Sequence, residues 1–284
     1  MVENFIKILN KAKKEKYAIP QFNINNLEWT RYILEECQQN KSPVILGVSE
    51  GAKKYIGGYD VVSQMVKSLI KDLKITIPVV LHLDHGSSFD SCKNAIDSGF
   101  SSVMIDASSH SLKENIYITK KVVKYSKRKK VSVEGEVGYI GGTEDGVSNI
   151  SLNAKVEDCI EFVNKTNVDA LAPALGSVHG LYKGEPNLDY ETMNKINNLI
   201  KIPLVLHGGT GIDDEKIKKA IGNGISKINI NTELQIEWSK AVRSFLNKDL
   251  EVYDPRKIIS SGEKAIKEVV RNKIILFGSI GKGA

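Results

Sequence analysis

Histidines are the residues of this chain whose positions most clearly suggest chemistry. Four of the five lie at or just past the ends of short apolar runs that are typical of β-strands, and His110 lies in a loop. One such histidine more often packs than binds a ligand, but three that meet at one edge of a sheet match a catalytic zinc site with an open position. The candidate ligands are His85, His179 and His207. His82 has the opposite strand parity from His85 and is interpreted as structural.

Acidic residues occur at the same strand ends. Glu134 and Glu136 lie two positions apart in the run VSVEGEV and therefore share one face of the predicted strand. Buried carboxylates are costly unless a cation or a proton accompanies them, so these two either pair with a lysine near the rim or face a metal. Glu136 is nearer the strand end, and Asp106 ends the preceding strand. Carboxylates beside an imidazole site indicate a second metal position.

Two turns that follow the last predicted strands have the character of phosphate sites. The segment LHGGTGID contains Gly208, Gly209 and Thr210, and the segment NINT follows the next strand. Backbone N–H groups at such turns bind phosphate, and barrels commonly use the loops after strands seven and eight for this purpose. The alternative is a tight turn that needs glycine for a positive φ.

The segment 138–153 is long and rich in glycine, and it carries two acidic residues, Glu144 and Asp145. A long loop in a compact domain is typically a lid or a disordered tip. A loop carboxylate that closes over a substrate can act as a base. This segment is therefore a candidate source of a second catalytic carboxylate.

The elements that position these residues alternate between apolar runs and helical patterns. Eight alternations in 284 residues predict a single α/β domain over residues 1–284, a (β/α)8 TIM barrel with extra N- and C-terminal helices, with a doubly wound open sheet as the alternative. The reacting groups of such folds gather at the strand ends. The predicted strands are 17–23, 44–48, 79–83, 102–106, 131–137, 170–172, 204–207 and 227–231. The predicted helices are 27–39, 59–73, 89–98, 112–127, 155–164, 190–200, 213–222 and 234–247.

Composition excludes several classes of protein. With 41% hydrophobic and 26% charged residues the chain can bury a sizeable core. It has neither an apolar run of about 18 residues nor the apolar segment of a signal peptide near its start, and its three cysteines form no CxxC pair. We therefore expect a cytoplasmic protein with no membrane partner. The basic run at 120–130 contains a single tyrosine and is interpreted as a solvated helix end, with no nucleic-acid partner expected.

Several segments resemble the class II, metal-dependent fructose-bisphosphate aldolase family. They are HLDHGSS, MIDAS, VEGEVGYIGGTEDG, APALGSVHGLYKGEPNLD, LVLHGGTGI and KININTELQ, in order between QFNINN near the start and DPRK near the end. The resemblance implies the barrel fold and a lyase of glycolysis and gluconeogenesis. Its reaction is the reversible retro-aldol cleavage of fructose 1,6-bisphosphate to dihydroxyacetone phosphate and glyceraldehyde 3-phosphate, in which zinc stabilises the enediolate.

The resemblance also implies cofactors and an assembly. His85, His179 and His207 match the three zinc ligands. Asp106 and Glu136 match the carboxylates of a second, weaker divalent position. Some members of the family respond to a monovalent cation, Na+ or K+, and members are commonly homodimers or homotetramers.

The resemblance further assigns roles in proton transfer and substrate binding. Asp84 matches the acid/base residue at the C4 oxygen, and Glu144 matches a loop carboxylate that moves the C3 proton. The residues that match substrate-binding positions are Asn23, Ser49, Gly180, Gly208, Gly209, Thr210, Asn229, Ile230, Asn231, Thr232 and Arg256. Of these, Arg256 matches an arginine that reaches the far phosphate from a neighbouring subunit.

Other activities on the same scaffold differ at identifiable positions. Tagatose 1,6-bisphosphate aldolases share nearly all these residues, but members of that group carry Ala where this chain has Asn231. A Schiff-base aldolase needs a buried lysine inside the barrel, and Lys227 begins the eighth predicted strand, at the end away from the histidines. A metal-dependent hydrolase would often have an HxH pair on its first strand, where this chain has PQFN.

Overall fold

The computed structural model describes residues 2–144, 147–149, 152–182 and 184–283. Its strands are β1 (Ile19–Asn23), β2 (Val44–Val48), β3 (Val79–Gly86), β4 (Ser102–Ile105), β5 (Ser132–Val137), β6 (Gly141–Glu144), β7 (Val147–Asn149), β8 (Ala170–Pro173), β9 (Val178–His179), β10 (Leu204–Leu206) and β11 (Ile225–Ile230). Eight of them close into a parallel barrel in the order β1-β11-β10-β8-β5-β4-β3-β2. The predicted barrel is therefore confirmed, and the open-sheet alternative is wrong.

The helices follow the barrel strands as the alternating pattern predicted. They are α1 (Ile6–Glu15), α2 (Leu27–Gln39), α3 (Glu50–Ile56), α4 (Tyr59–Asp72), α5 (Phe89–Asp97), α6 (Leu112–Lys127), α7 (Val156–Thr166), α8 (Tyr190–Leu199), α9 (Asp214–Gly222), α10 (Thr232–Lys248), α11 (Pro255–Ser260) and α12 (Glu263–Leu276). Side chains cap several of them, as where Asn26 accepts a hydrogen bond from the Trp29 backbone N–H at 2.8 Å. None of the helices in the described ranges is long and apolar enough to cross a membrane.

Side chains alternate along each strand between the outside and the inside of the barrel, so the apolar residues form two cores. One alternate set, which includes Leu81, packs outward against the helices. Near the amino ends of the strands, inward residues such as Ile45 and Val205 pack instead with Phe5 and Leu9 at helix α1. Helix α1 thus closes the amino end of the barrel, and the carboxyl ends of the strands are left for polar residues.

The structure differs most clearly from the predicted elements in four places: two strand boundaries, one helix and one loop. Strand β3 continues to Gly86, so His85 lies within it, and β11 begins at Ile225, two residues earlier than predicted. Helix α3 was not predicted. The segment 138–153, predicted to be a loop, contributes β6 and β7, and β6 also pairs with β9. These pairings escaped prediction because β6 and β9 are distant in sequence and rich in glycine rather than alternating apolar residues.

Candidate active site and metal centre

Three of the histidines converge at the carboxyl end of the barrel. His85 lies near the end of β3, His179 on β9 and His207 directly after β10. One ring nitrogen from each lies within 4.8 Å of one from each of the others. The ring centroids are separated by 4.6 Å for His85 and His207, 4.9 Å for His85 and His179, and 5.7 Å for His179 and His207. The three predicted ligands therefore share a single centre.

Carboxylates behind two of these rings determine which nitrogen faces that centre. Asp106 Oδ2 lies 2.8 Å from His85 Nδ1, and Glu134 Oε1 lies 2.8 Å from His207 Nε2. Since ionised carboxylates only accept hydrogen bonds, we assign the ring protons to those two nitrogens. The inner nitrogens, His85 Nε2 and His207 Nδ1, are then lone-pair donors 2.8 Å apart. Two lone pairs at that distance repel each other, and an ion bound by both nitrogens would remove the repulsion, so the residues fit a divalent ion held by carboxylate-backed imidazoles.

The protonation of the histidines also suits a metal. Burial first, and then the neighbouring imidazoles, hold the pKa of His179 well below its usual value, and burial lowers the pKa of His207 as well. Both rings are therefore neutral near pH 7, which is the form that binds zinc. His82 lies deeper in the barrel, where it is fully buried and its Nδ1 is 2.7 Å from Ser102 Oγ. Burial lowers the pKa of His82 to about 3.

The backbone at His85 explains how two consecutive residues reach one site. In a regular strand Asp84 and His85 would point to opposite faces. His85 instead has φ +50°, and the register of β3 on β4 shifts between Leu83 and Gly86. The left-handed conformation is costly for a residue with a Cβ and is typical of functional positions. It brings both side chains inward, so the parity argument that set His82 apart from His85 does not hold here.

Asp84 is fixed by two amide groups. Its Oδ2 accepts a hydrogen bond from Asn23 Nδ2 at 2.9 Å, and its Oδ1 accepts one from Asn229 Nδ2 at 3.3 Å. Burial opposes ionisation of Asp84, but the basic groups around it, His85 and His207 first, outweigh burial and keep its pKa below the usual range. Asp84 is thus an oriented, ionised proton acceptor beside the histidines.

A second group of ligand atoms shares His85 with the first. One atom each from His85, Asp106 and Glu136 lie within 4.8 Å of one another. Burial and then the negative charge of Asp106 raise the pKa of Glu136 well above its usual value. Burial also acts on Asp106, but hydrogen bonds from His85 and Ser108 outweigh it and lower the pKa of Asp106. This group suits a divalent ion that displaces the proton of Glu136.

We expect divalent binding at this second group to release a proton. Because Glu136 holds its proton to higher pH than an ordinary glutamate, the affinity should fall as pH falls, by up to about tenfold per pH unit below the pKa of Glu136. Calorimetry with Mn2+ in buffers of different ionisation enthalpy measures the proton count. His179→Ala protein is the suitable background, since that change breaks the three-histidine group and keeps the second.

The matched control for this measurement is the further change Glu136→Gln, which removes the titrating carboxyl. It should abolish both the released proton and the pH dependence. The assignment would be contradicted if the His179→Ala protein, which retains Glu136, bound Mn2+ with equal affinity at every pH and released no proton.

The two predicted phosphate segments lie side by side at the same end of the barrel. The backbone N–H of Gly209 donates to Asn229 O at 3.1 Å, and Thr210 Oγ1 accepts from the Glu233 N–H at 3.2 Å. Gly208 has φ +66°, and a Cβ there would lie 2.1 Å from Val178 O, so glycine is required. Helix α10 begins just after Asn231, whose own side chain does not cap it. Gly208 therefore agrees with the turn interpretation, and phosphate binding by this loop stays a prediction.

The remaining predicted substrate residues are less uniformly placed. Gly180 has φ +82° next to His179, and Thr232 begins helix α10. Ile230 is buried among the outward-facing core residues and is paired with Phe22 of β1. Ser49 is nearly buried and caps α3, where its Oγ accepts from the Ala52 N–H at 3.1 Å.

One of the predicted residues is not brought to the histidines within the described part of the chain. Arg256 lies on α11 and pairs with Asp254 at 3.0 Å, with its side chain largely exposed. The side chain of Glu144 and the whole of Asp145 lie outside the described residues.

A buried ion pair that the sequence pattern did not reveal lies directly beneath the site. Lys227 is not at the entry of its strand but is the third residue of β11, fully buried, with Nζ 2.8 Å from Glu134 Oε2. Glu134 thus forms the ion pair that was one of its two interpretations. The sequence did carry a signal for the inward position of Lys227. It lies two positions before Asn229 and therefore shares the same face of the strand.

Comparison with known proteins agrees with this geometry. The family model described as Fructose-bisphosphate aldolase class-II matches residues 3–282. The chain is 58% identical over 278 residues to a fructose-bisphosphate aldolase of Geobacillus stearothermophilus, covering 98% of this chain and 97% of that protein. It is 56% identical over 269 residues to that of Staphylococcus aureus strain Mu50, covering 94% of each. The solved YdjI aldolase of Escherichia coli K12 superimposes with a TM-score of 0.87 at 34% identity over all of both chains. This chain therefore belongs to the class II fructose-bisphosphate aldolase family.

Proposed function

We propose that this chain catalyses the reversible cleavage of fructose 1,6-bisphosphate to dihydroxyacetone phosphate and glyceraldehyde 3-phosphate, a step of glycolysis and gluconeogenesis. One observation carries the proposal: three imidazole nitrogens within 4.8 Å of one another, next to a buried carboxylate, in a chain of the class II aldolase family. Residues 1–284 act as a single catalytic domain.

The donor set favours zinc at His85, His179 and His207. Neutral imidazole nitrogens are preferred zinc ligands, and three of them leave a position open for substrate. When bound, the ion supplies a Lewis acid that stabilises negative charge on the substrate oxygens. Asp106 and Glu136 would hold a second divalent ion next to His85, whose Nδ1 proton stays in the hydrogen bond to Asp106. The family resemblance supports a monovalent cation, Na+ or K+, as a further cofactor.

Asp84 is the base that starts cleavage. It accepts the proton of the C4 hydroxyl while the C3–C4 bond breaks, so that C4 becomes the aldehyde carbon of glyceraldehyde 3-phosphate. The electron pair of that bond stays with the three-carbon fragment, and Glu144, in its protonated form, delivers a proton to its C3. Asp84 then releases its proton to water and Glu144 takes one up, which restores both groups. The amide hydrogen bonds of Asn23 and Asn229 orient Asp84 before substrate arrives, which lowers the entropic cost of the step. In the condensation direction, Asp84 returns its proton to the C4 oxygen.

The glycine turns and the start of α10 bind one phosphate of the substrate through backbone N–H groups. The residues that line the substrate site are Asn23, Ser49, Gly180, Gly208, Gly209, Thr210, Asn229, Ile230, Asn231 and Thr232. Arg256 binds the other phosphate in a neighbouring subunit of a homodimer or homotetramer, which its exposure supports. The three unpaired cysteines support a reducing compartment, the cytoplasm. We propose no nucleic-acid or membrane partner.

A coupled assay on the purified chain tests this function. We expect cleavage of fructose 1,6-bisphosphate that a chelator abolishes and added zinc restores, with slower cleavage of tagatose 1,6-bisphosphate. A preference for the tagatose substrate would overturn the substrate assignment. Activity that survives complete removal of metal, or covalent trapping of substrate by borohydride, would overturn the role of the metal.

A further inference from the structure

Beneath the three histidines, a pair of opposite charges is enclosed in the barrel interior. Lys227 and Glu134 are both fully buried, and Lys227 Nζ lies 2.8 Å from Glu134 Oε2. Neither residue is among those that bind metal or substrate in the proposed mechanism. A buried ion pair usually adds little stability compared with well-packed apolar residues, so its presence here calls for another reason.

One branch of contacts leads from this pair to a metal ligand. Glu134 accepts a hydrogen bond from His207 Nε2 at 2.8 Å. The adjacent ammonium of Lys227 keeps Glu134 a carboxylate, which can only accept a hydrogen bond. The proton of His207 is thereby held on Nε2, and the lone pair of Nδ1 points toward His85 Nε2, 2.8 Å away. A neutral side chain at position 134 would permit the other tautomer, which has a proton where the metal must bind.

A second branch leads from Lys227 to the catalytic base. Lys227 Nζ donates to Asn229 Oδ1 at 2.9 Å, which fixes the orientation of that amide. The amide nitrogen of Asn229 is then directed at Asp84 Oδ1, 3.3 Å away, and at His207 Nδ1, 3.4 Å away. Without the lysine the amide could turn over and place its oxygen against the carboxylate of Asp84.

We propose that Lys227 and Glu134 together act as positioning residues. They set the metal-binding tautomer of His207, and they fix the orientation of Asn229 toward Asp84. This proposal rests on the proposed metal-dependent aldolase function. One buried lysine thus orients both the metal ligand and the proton acceptor, through one carboxylate and one amide.

A double variant that buries no net charge separates this role from a purely structural one. Glu134→Gln alone leaves Lys227 without its counter-charge and can unfold the chain, so the main test is the double variant Glu134→Gln/Lys227→Met, which buries no net charge. The double variant should keep its thermal unfolding midpoint near that of the wild type. Competition with a chromophoric chelator should nevertheless show about 10- to 100-fold weaker zinc binding. At saturating zinc, kcat should fall about tenfold or more, with a smaller change in KM, because Asp84 is misoriented.

A spectroscopic readout on metal-free protein reports the tautomer directly. Nitrogen-15 chemical shifts should place the His207 proton on Nε2 in the wild type and on both nitrogens in the double variant. The matched control is Glu36→Gln, which removes another buried carboxylate, 2.7 Å from Arg271 in the helix layer. It should lower the unfolding midpoint and leave zinc affinity and tautomer unchanged.

The proposal is overturned if the double variant binds zinc as tightly as the wild type and retains the Nε2 tautomer. It is also overturned if Glu36→Gln weakens zinc binding as much as the double variant does, since the loss of zinc affinity would then follow from lower stability alone. Failure of the proposed aldolase function gives a different result. The wild-type protein would then have the Nε2 tautomer and the double variant would lose it, but the wild-type protein would not cleave fructose 1,6-bisphosphate.

Discussion

Asp84→Ala should lower kcat for fructose 1,6-bisphosphate by about 100- to 10,000-fold, the range expected when a general base is removed. The zinc content should stay near one ion per chain, because Asp84 contacts the amides of Asn23 and Asn229 and does not belong to the group of metal ligands. The measurement is a steady-state assay on protein whose zinc has been quantified by mass spectrometry. Loss of turnover with zinc retained is the signature of a missing proton acceptor.

The control removes a half-buried carboxylate at the opposite end of the barrel. Asp169 precedes β8 and accepts a hydrogen bond from the Val133 N–H at 2.8 Å. Asp169→Asn should keep turnover within a few-fold of the wild type. Near-normal turnover by Asp84→Ala would contradict the mechanism. Loss of zinc from Asp84→Ala would show that Asp84 is a metal ligand instead.

His207→Ala should lose both zinc and activity. The change removes one of three imidazoles and leaves two, so the site can no longer hold zinc in the geometry that catalytic sites use. We expect kcat to fall at least about 100-fold, since the Lewis acid contributes several kcal/mol to the transition state. Zinc quantification and the coupled assay on the same sample measure both effects.

His110→Ala is the control for deleting an imidazole, because His110 is an exposed residue whose contact is with Glu114 at 3.5 Å. It should retain zinc and turnover. A His207→Ala protein that still carries a full complement of zinc and cleaves substrate normally would show that the metal lies elsewhere.

Much of the barrel could be predicted from sequence because its signals are local. Helices α2 and α6 begin and end where predicted, since Asn26 and Ser111 cap them and an apolar stripe runs along each. The sheet of β6, β7 and β9 could not be predicted this way. Its pairing of Gly142 with His179 joins segments far apart in the chain, and neither has an alternating pattern.

The candidate site was predictable as a set of residue types at strand ends, but not in its geometry. Parity along β3 would separate Asp84 from His85, and the left-handed φ of His85 reverses that expectation. No local pattern announces such a conformation in a histidine. Lys227 was misplaced for a simpler reason: the polar Ser226 before it hid the true start of β11 at Ile225.

The most direct test of the metal centre is an X-ray absorption spectrum at the zinc edge of the zinc-loaded chain. We predict a first coordination shell of nitrogen and oxygen atoms at about 2.0–2.1 Å, with the outer-ring scattering of three imidazoles. A shell with sulfur at about 2.3 Å, or one that fits fewer than three imidazoles, would contradict the account.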